Sequence, residues 1–406
     1  ISHTKNSNND INLSAFDNIT NNGQFLSSRN INIETLSTFN NQSDKINLSN
    51  NNFVINAGNF TNSGQIVSVN DININANTRL FNSSQIVAER NLILTSPEII
   101  NDGSIYSNNK IVITANNHLT NNNEIISLRL GDRSDPVNNS IIITAQNINN
   151  NNKIAANNNI IINADSLNNN TSNSTILALN DVNLNIITLN NSDATIQAAN
   201  ALTLRNLTLN SPDISSSLGI TNDATTINNS NGILSAGNLL DLDTGNGDYI
   251  VTGTIESSGN LKLKARNITN QTTIQSGGKI DISATDKFIN GSLSGDNSDI
   301  KIISGTSLNI EAQNLLSNYA TLSSGTDLTL TSLNGDINNN INAEIITGKR
   351  YEAEEGSGIW TNTGTLSLIA KNGTLKQNSL NSIVVNGDYS ICLLYTSPSP
   401  RDGLLS

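Results

Sequence analysis

The side chains that most often carry catalysis are scarce in this sequence. Its two histidines are His3 and His118, too few for a histidine-based metal cluster and a poor basis for a Ser-His-Asp triad. Gly277-Gly278-Lys279 precedes an isoleucine where a phosphate-binding P-loop needs Ser or Thr. The H-E-x-x-H and G-x-S-x-G motifs are absent from the sequence. We therefore predict no catalytic residues and no cofactor site.

Acidic residues suggest two further kinds of site. The stretch 241–248 combines Asp, Asn and Gly, whose oxygen atoms can bind Ca²⁺. Its spacing departs from the EF-hand loop, and it occurs once, whereas the calcium-binding nonapeptides of β-helices are tandem. Polysaccharide-acting β-helix enzymes group carboxylates with a basic residue, but here Asp and Glu are scattered. We predict an ordinary turn at 241–248, no metal site, and a chain that is not an enzyme.

The charge balance narrows the range of partners. The formal net charge is −12 with 13% charged residues, and Lys and Arg form no cluster. This composition argues against binding to nucleic acids or anionic membranes. No apolar run approaches the ~18 residues that a membrane-spanning helix needs. We predict neither a nucleic-acid partner nor a transmembrane segment.

Two segments with unusual charge and aromatic content are the candidates for molecular contact. Loops on a rigid scaffold carry function more often than the scaffold does. The alternatives are a mere variation in loop length and a Trp that packs back onto the scaffold. The candidate contact residues are Arg129, Asp132, Arg133 and Asp135 in the insertion 129–139, and Arg350, Tyr351, Glu354 and Trp360 in the insertion 344–360.

A repeat of about 20 residues organises the elements that must position these segments. Successive copies begin at Asn62, Asn82, Asn101 and Asn121, with offsets of 20, 19 and 20 residues. Within one copy, residues 72–76 alternate Ile-Asn-Ile-Asn-Ala, which puts the apolar side chains on one face of a strand. A single copy cannot bury that face, so the copies must stack on one another.

The repeat predicts an all-β fold: a right-handed parallel β-helix, or solenoid, with coils of about 20 residues and about 19 coils in total. A helical repeat fails because apolar residues do not recur at i, i+3, i+4 and i+7. A leucine-rich repeat fails because its L-x-x-L-x-L frame is not kept. Asn suits the turns because it tolerates left-handed backbone. Stacked Asn side chains can also form amide ladders.

The spacing of the repeats divides the chain into four stretches. Cys392, the one cysteine, lies in the last of them, which resembles a translated sequencing adapter and is predicted to be a non-native tail. Ile1 is not a start residue, so we interpret the sequence as an internal fragment. The stretches are Asn-rich repeats at 1–210 with the insertion 129–139, irregular coils at 211–250, further repeats at 251–390 with the insertion 344–360, and the tail at 391–406.

The copies resemble the haemagglutinin repeats of the filamentous haemagglutinin family. That frame is roughly L-x-N-x-G-x-I-x-a-x-x-x-L-x-L-x-A, and Phe60 to Ser68 followed by Ile72 to Ala76 matches it. Departures occur: the glycine at Gly64 is Ser84 in the next copy. The resemblance extends over about 15–390.

This resemblance implies a secreted or cell-surface exoprotein of a Gram-negative bacterium, exported through an outer-membrane two-partner secretion transporter. The leading hypothesis is the structural shaft of an adhesin that contacts a receptor or glycan on a host or neighbouring cell. A second is the stalk of a contact-dependent growth inhibition protein, which a compact C-terminal toxin domain would reveal. A distant third is a polysaccharide-acting β-helix enzyme.

Overall fold

A computed structural model describes residues 9–42, 44–128, 140–206, 224–340, 343–347, 350–351, 359–360, 364–377, 383–385 and 389–393. All regular structure in these ranges is β-strand, and the coils stack their strands in parallel. The fold is the predicted parallel β-helix, with about 15 turns and coils of about 20 residues. The expected number of about 19 coils is too high, because some coils are much longer than the repeat. These ranges contain no helix that could serve as a membrane span.

The chain forms two compact units, Ile1–Gly237 (unit 1) and Asn238–Ser406 (unit 2). Their boundary falls inside the stretch 211–250. The described part of that stretch contains regular strands: Ile233–Ala236, for example, pairs in register with Thr195–Ala198. Residues 207–223 lie outside the described ranges.

Two predicted boundaries shift. Glu344–Thr347 is a strand that pairs with Thr321–Ser324, so the second interruption of the repeat starts after Thr347. Tyr389–Leu393 pairs with Leu366–Ala370, so the predicted tail begins within a strand of the coil. Residues 394–406 lie outside the described ranges.

Most coils of unit 1 combine a short strand with a long bent one. The short strands form a parallel sheet that we name face 1, and the two limbs of the long strands form faces 2 and 3. Face 1 contains Leu26–Ser27, Ile46–Ser49, Gln65–Ser68, Gln85–Ala88, Ser104–Ser107, Glu124–Ser127, Lys153–Ala156, Thr175–Ala178, Thr195–Ala198 and Ile233–Ala236. Faces 2 and 3 contain Ile11–Ala15, Ile19–Asn21, Ile31–Thr35, Thr38–Asn41, Phe53–Asn62, Ile72–Asn82, Asn91–Asn101, Lys110–Asn121, Ile141–Asn150, Ile160–Asn168, Val182–Asn190, Ala201–Arg205 and Thr226–Asn228.

Unit 2 keeps three separate faces. Face 1 contains Thr254–Ser257, Thr273–Ser276, Lys301–Ser304, Thr321–Ser324, Glu344–Thr347 and Ile383–Val385. Face 2 contains Leu239–Asp243, Asn260–Ala265, Ile280–Ala284, Leu308–Ala312, Leu328–Ser332, Leu366–Ala370 and Tyr389–Leu393. Face 3 contains Tyr249–Val251, Ile268–Asn270, Lys287–Asn290, Leu315–Asn318, Asp336–Asn339 and Leu375–Gln377. A short antiparallel pair joins Arg350–Tyr351 to Ile359–Trp360.

The alternation of side chains builds the core. Ile72 and Ile74 are fully buried, while Asn73 between them is exposed, because successive side chains of a strand point to opposite faces. Ile72 pairs in register with Phe53 in the preceding coil and Leu92 in the next. Burying one such side chain stabilises the fold by about 1.5–3 kcal/mol, and the columns repeat this contact from coil to coil.

Candidate functional surfaces

A column of buried asparagines runs along the corner between faces 3 and 1 of unit 1. In each coil, Nδ2 of the asparagine donates a hydrogen bond of 2.7–2.9 Å to Oδ1 of its counterpart in the next coil. These side chains are at most 4% exposed. The amide ladder expected from the asparagine-rich turns is therefore confirmed. Its ten members are Asn21, Asn41, Asn62, Asn82, Asn101, Asn121, Asn150, Asn169, Asn191 and Asn229.

The ladder amides also bond to the backbone. Nδ2 of Asn82 donates to the carbonyl of Ser84 at 2.9 Å, and Nδ2 of Asn150 donates to the carbonyl of Asn152 at 2.9 Å. Both amide hydrogens of these side chains are thereby satisfied inside the coil. A buried amide left without its partner would cost about 1–3 kcal/mol. At these two positions the ladder therefore has no spare amide donor for a ligand.

Unit 2 carries a shorter ladder at its corresponding corner. Nδ2 of Asn270, Asn290 and Asn318 each donates to Oδ1 of the next member at 2.8–2.9 Å. Nδ2 of Asn339 then donates to Oε1 of Gln377 at 2.9 Å. A glutamine can thus take the place of asparagine, because it presents the same amide group.

The structure brings part of the second predicted contact segment together. Arg350 stands opposite Trp360, and Tyr351 stands opposite Ile359, in the antiparallel strand pair. Three of the four candidates in 344–360 therefore share one two-stranded ribbon. The remaining candidates, Arg129, Asp132, Arg133, Asp135 and Glu354, lie outside the described residues.

The Asp-rich turn of unit 2 directs its carboxylates toward bases. Lys264 Nζ lies 3.3 Å from Asp243 Oδ2, and Arg266 donates two hydrogen bonds of 2.8 and 2.9 Å to Asp248. The backbone N–H of Gly245, which adopts a positive φ of 60°, donates to Asp243 Oδ1 at 2.9 Å. The described part of the chain contains no group of three His, Cys, Asp or Glu residues that could hold a metal ion.

These bases form a layer between two acidic coils. Lys262 pairs in register with Asp241 on one side and with Asp281 on the other. The hydrogen bonds from Arg266 lower the pKa of the Asp248 carboxyl and raise the pKa of the guanidinium. This arrangement was not predicted from the sequence, although acid and base recur at a spacing of one coil.

A second carboxylate joins two coils at face 3 of unit 2. Asp336 accepts hydrogen bonds from Nζ of Lys376 at 2.7 Å and from the backbone N–H and Oγ1 of Thr374 at 2.9 and 2.8 Å. These donors lower the pKa of Asp336 to about 2, since they favour its ionised form. The carboxylate therefore stays charged at neutral pH and holds Leu375–Gln377 against Asp336–Asn339.

The outward side of face 2 in unit 2 carries a shallow groove of about 390 Å³. Asp281, Asn309, Glu311 and Thr329 contribute polar groups to it. Asp281 is held by Lys279 Nζ at 2.8 Å and by Nδ2 of Asn309 at 3.0 Å. Such a surface can form hydrogen bonds with the hydroxyl groups of a glycan, but no aromatic ring lines it to stack on a sugar.

No protein-family model, curated protein or solved structure matches this chain. The resemblance of 60–76 to a haemagglutinin repeat therefore stays a prediction. The structure shows a β-solenoid whose buried asparagines join coil to coil.

Proposed function

We propose that this chain is a segment of the shaft of a secreted or cell-surface bacterial adhesin, where it supplies reach and presents contact loops. The observation that carries the proposal is the pair of amide ladders. In both units, buried polar side chains are engaged in joining one coil to the next. This arrangement suits a stacking scaffold better than a site that must release and rebind a ligand.

The parallel strands support the same role. Each coil pairs with its neighbours along the stacking direction, as Gln85–Ala88 does with the strands before and after it. Each added coil extends the stack by ~4.8 Å. The number of coils therefore sets the reach, and no coil needs chemistry of its own.

The repeat motif supports the proposed setting. On this proposal the chain leaves a Gram-negative cell through an outer-membrane two-partner secretion transporter. It then meets a receptor or glycan on a host or neighbouring cell. Contact is made by the insertion 129–139 and by the part of the second insertion that follows Thr347, and the chain performs no catalysis.

The proposal is tested by measuring whether adhesion depends on those insertions. Fluorescent beads coated with the full chain are incubated with cultured epithelial cells and with Gram-negative bacteria, and bound beads are counted by flow cytometry. We expect binding to fall several-fold for the variants Arg129→Ala/Arg133→Ala and Arg350→Ala/Trp360→Ala.

The matched control removes the same charge elsewhere. Lys287→Ala/Lys301→Ala deletes two bases from the coil wall of unit 2, and binding should match that of the original chain. Equal binding by all variants, or binding no greater than on albumin-coated beads, would contradict the adhesive role. Release of reducing ends from pectin, hyaluronan or chitin would point to an enzyme instead.

A further inference from the structure

Face 1 of unit 1 carries a column of apolar side chains on its outer surface. In strands such as Gln65–Ser68 the second and fourth residues point inward, and the first and third point outward. The third residue is apolar in seven successive strands, each paired in register with the next. This apolar column consists of Leu48, Val67, Val87, Tyr106, Ile126, Ala155 and Leu177.

Exposed apolar side chains concentrate around the same face. Of the eight large ones in the described part of unit 1, five lie in a face 1 strand or directly after one. Inside the column, Ile126 and Ala155 are only 4% and 6% exposed, so the accessible surface lies toward the two ends. The five residues are Leu26, Ile46, Val69, Leu179 and Ile233, which are 36–57% exposed. The exposed apolar residues thus form two groups, one toward each end of face 1, and exposed apolar patches mark interaction surfaces.

The face is also electrically neutral. Among the outward side chains of its nine strands from Ile46–Ser49 to Ile233–Ala236, the charged groups are Glu124 and Lys153. These two have opposite sign and pair in register. The whole chain carries a net charge of −12, so two copies repel each other on average. Two copies can therefore meet at face 1 without placing charges of the same sign opposite each other.

We propose that face 1 of unit 1 binds face 1 of a second copy of this chain, a partner that is apolar and neutral in the same places. Without the two central strands, whose third residues are buried, seven strands at ~4.8 Å and four residues at ~3.3 Å give roughly 440 Å² per copy. The two copies together bury about 900 Å², the size of a weak, transient interface. The dimer is therefore weak and concentration-dependent. This inference does not depend on the adhesive role.

Sedimentation velocity of the full chain tests the proposal. We expect monomers at about 1 μM and dimers at about 100 μM, the range that suits an interface of this size. Raising NaCl from about 0.05 to about 0.5 M should strengthen the dimer, because salt screens the net repulsion and leaves apolar contact intact. The variant Val67→Lys/Val87→Lys places charges in the contact and should weaken association about tenfold or more.

The control adds the same two charges to a neighbouring face of the same coils. Asn73→Lys/Thr95→Lys lies on the outward side of face 2, and the dimer should persist. Leu177→Lys, at the other end of the column, keeps the test decisive if the double variant does not fold, as judged by circular dichroism. A monomer at every concentration would overturn the proposal. So would a dimer insensitive to these lysines, which would indicate joining through the ends of the coils.

Discussion

Units 1 and 2 have similar coils, but the chain turns differently at the corner between faces 2 and 3. In unit 1 the strand Lys110–Asn121 runs through the corner between faces 2 and 3, with a register shift after Ala115. In unit 2 the chain leaves the strand at Ala265 and starts a new one at Ile268. Inward alternation is the same in both units. It follows that the core pattern specifies the coil, whereas the corner can be built in more than one way.

The polar contacts that join neighbouring coils also differ between units 1 and 2. Outward side chains in unit 1 often pair amide with amide, as Asn32 does with Asn12 at 2.7 Å. Unit 2 instead uses charged pairs such as Arg266 with Asp248. Neutral amides keep their hydrogen bonds at any pH, while ion pairs depend on the protonation of a carboxylate. Substitutions in each unit can measure these differences.

The largest effect is expected at the ladder that both units share. Asn101→Ala removes the acceptor of Asn82 and the donor to Asn121, and we expect a loss of about 3 kcal/mol in unfolding free energy. Asn290→Ala should cost unit 2 a similar amount. Guanidinium denaturation followed by circular dichroism measures both. The exposed Asn73→Ala is the control and should change stability by less than ~0.5 kcal/mol; equal losses at all three sites would contradict a special role for the ladder.

A smaller effect is expected at the turn that follows face 1. A Cβ on Gly305 would lie 2.1 Å from the carbonyl oxygen of Gly277, so Gly305→Ala should cost about 2 kcal/mol because the added methyl group clashes with this backbone oxygen. The same turn in unit 1 holds side chains such as Glu89, whose N–H makes the equivalent bond to Ser68. Thermal unfolding of Gly305→Ala against Ala199→Gly measures the difference. Unchanged stability in Gly305→Ala would show that unit 2 can adopt the turn of unit 1.

The smallest effect is expected from acid. The pKa of Asp336 is lowered to about 2 in the fold, so its contribution is present above pH ~4 and is lost as the pH falls toward 2. Its partner Lys376 is half exposed, which limits the contribution to ~1 kcal/mol or less. Limited pepsin digestion from pH 5 to 2, with cut sites located by mass spectrometry, should open unit 2 before unit 1. Asp336→Asn should remove this part of the pH dependence, and earlier opening of unit 1 would refute the contrast.

The core and the ladder were predictable because both follow short, regular spacings. The alternation at 72–76 assigns each side chain to a face once a strand is assumed. The recurrence of Asn62, Asn82, Asn101 and Asn121 places an amide at the same corner in each coil. Both inferences need only the period of the strand and the period of the repeat.

The other features could not be predicted from the sequence, because coils of irregular length conceal which residues pair in register. Ladder partners lie 29 residues apart at Asn121 and Asn150, and 38 apart at Asn191 and Asn229, so chain length overestimates the number of coils. The pairing of Lys262 with Asp241 is visible only when coils are aligned. The neutral apolar column of face 1 likewise emerges from stacking, because each strand contributes a single outward residue to it.

The amide ladder also helps to fix the register between neighbouring coils. A slip of two residues keeps apolar side chains inward, since the strand period is two, so the core alone cannot reject it. In that slipped register Leu80 or Ser84 would face Asn62, whose Nδ2 would lose its acceptor at a cost of about 1–3 kcal/mol. Every donor points from one coil to the next. An error in register therefore costs free energy at the first ladder hydrogen bond that it breaks.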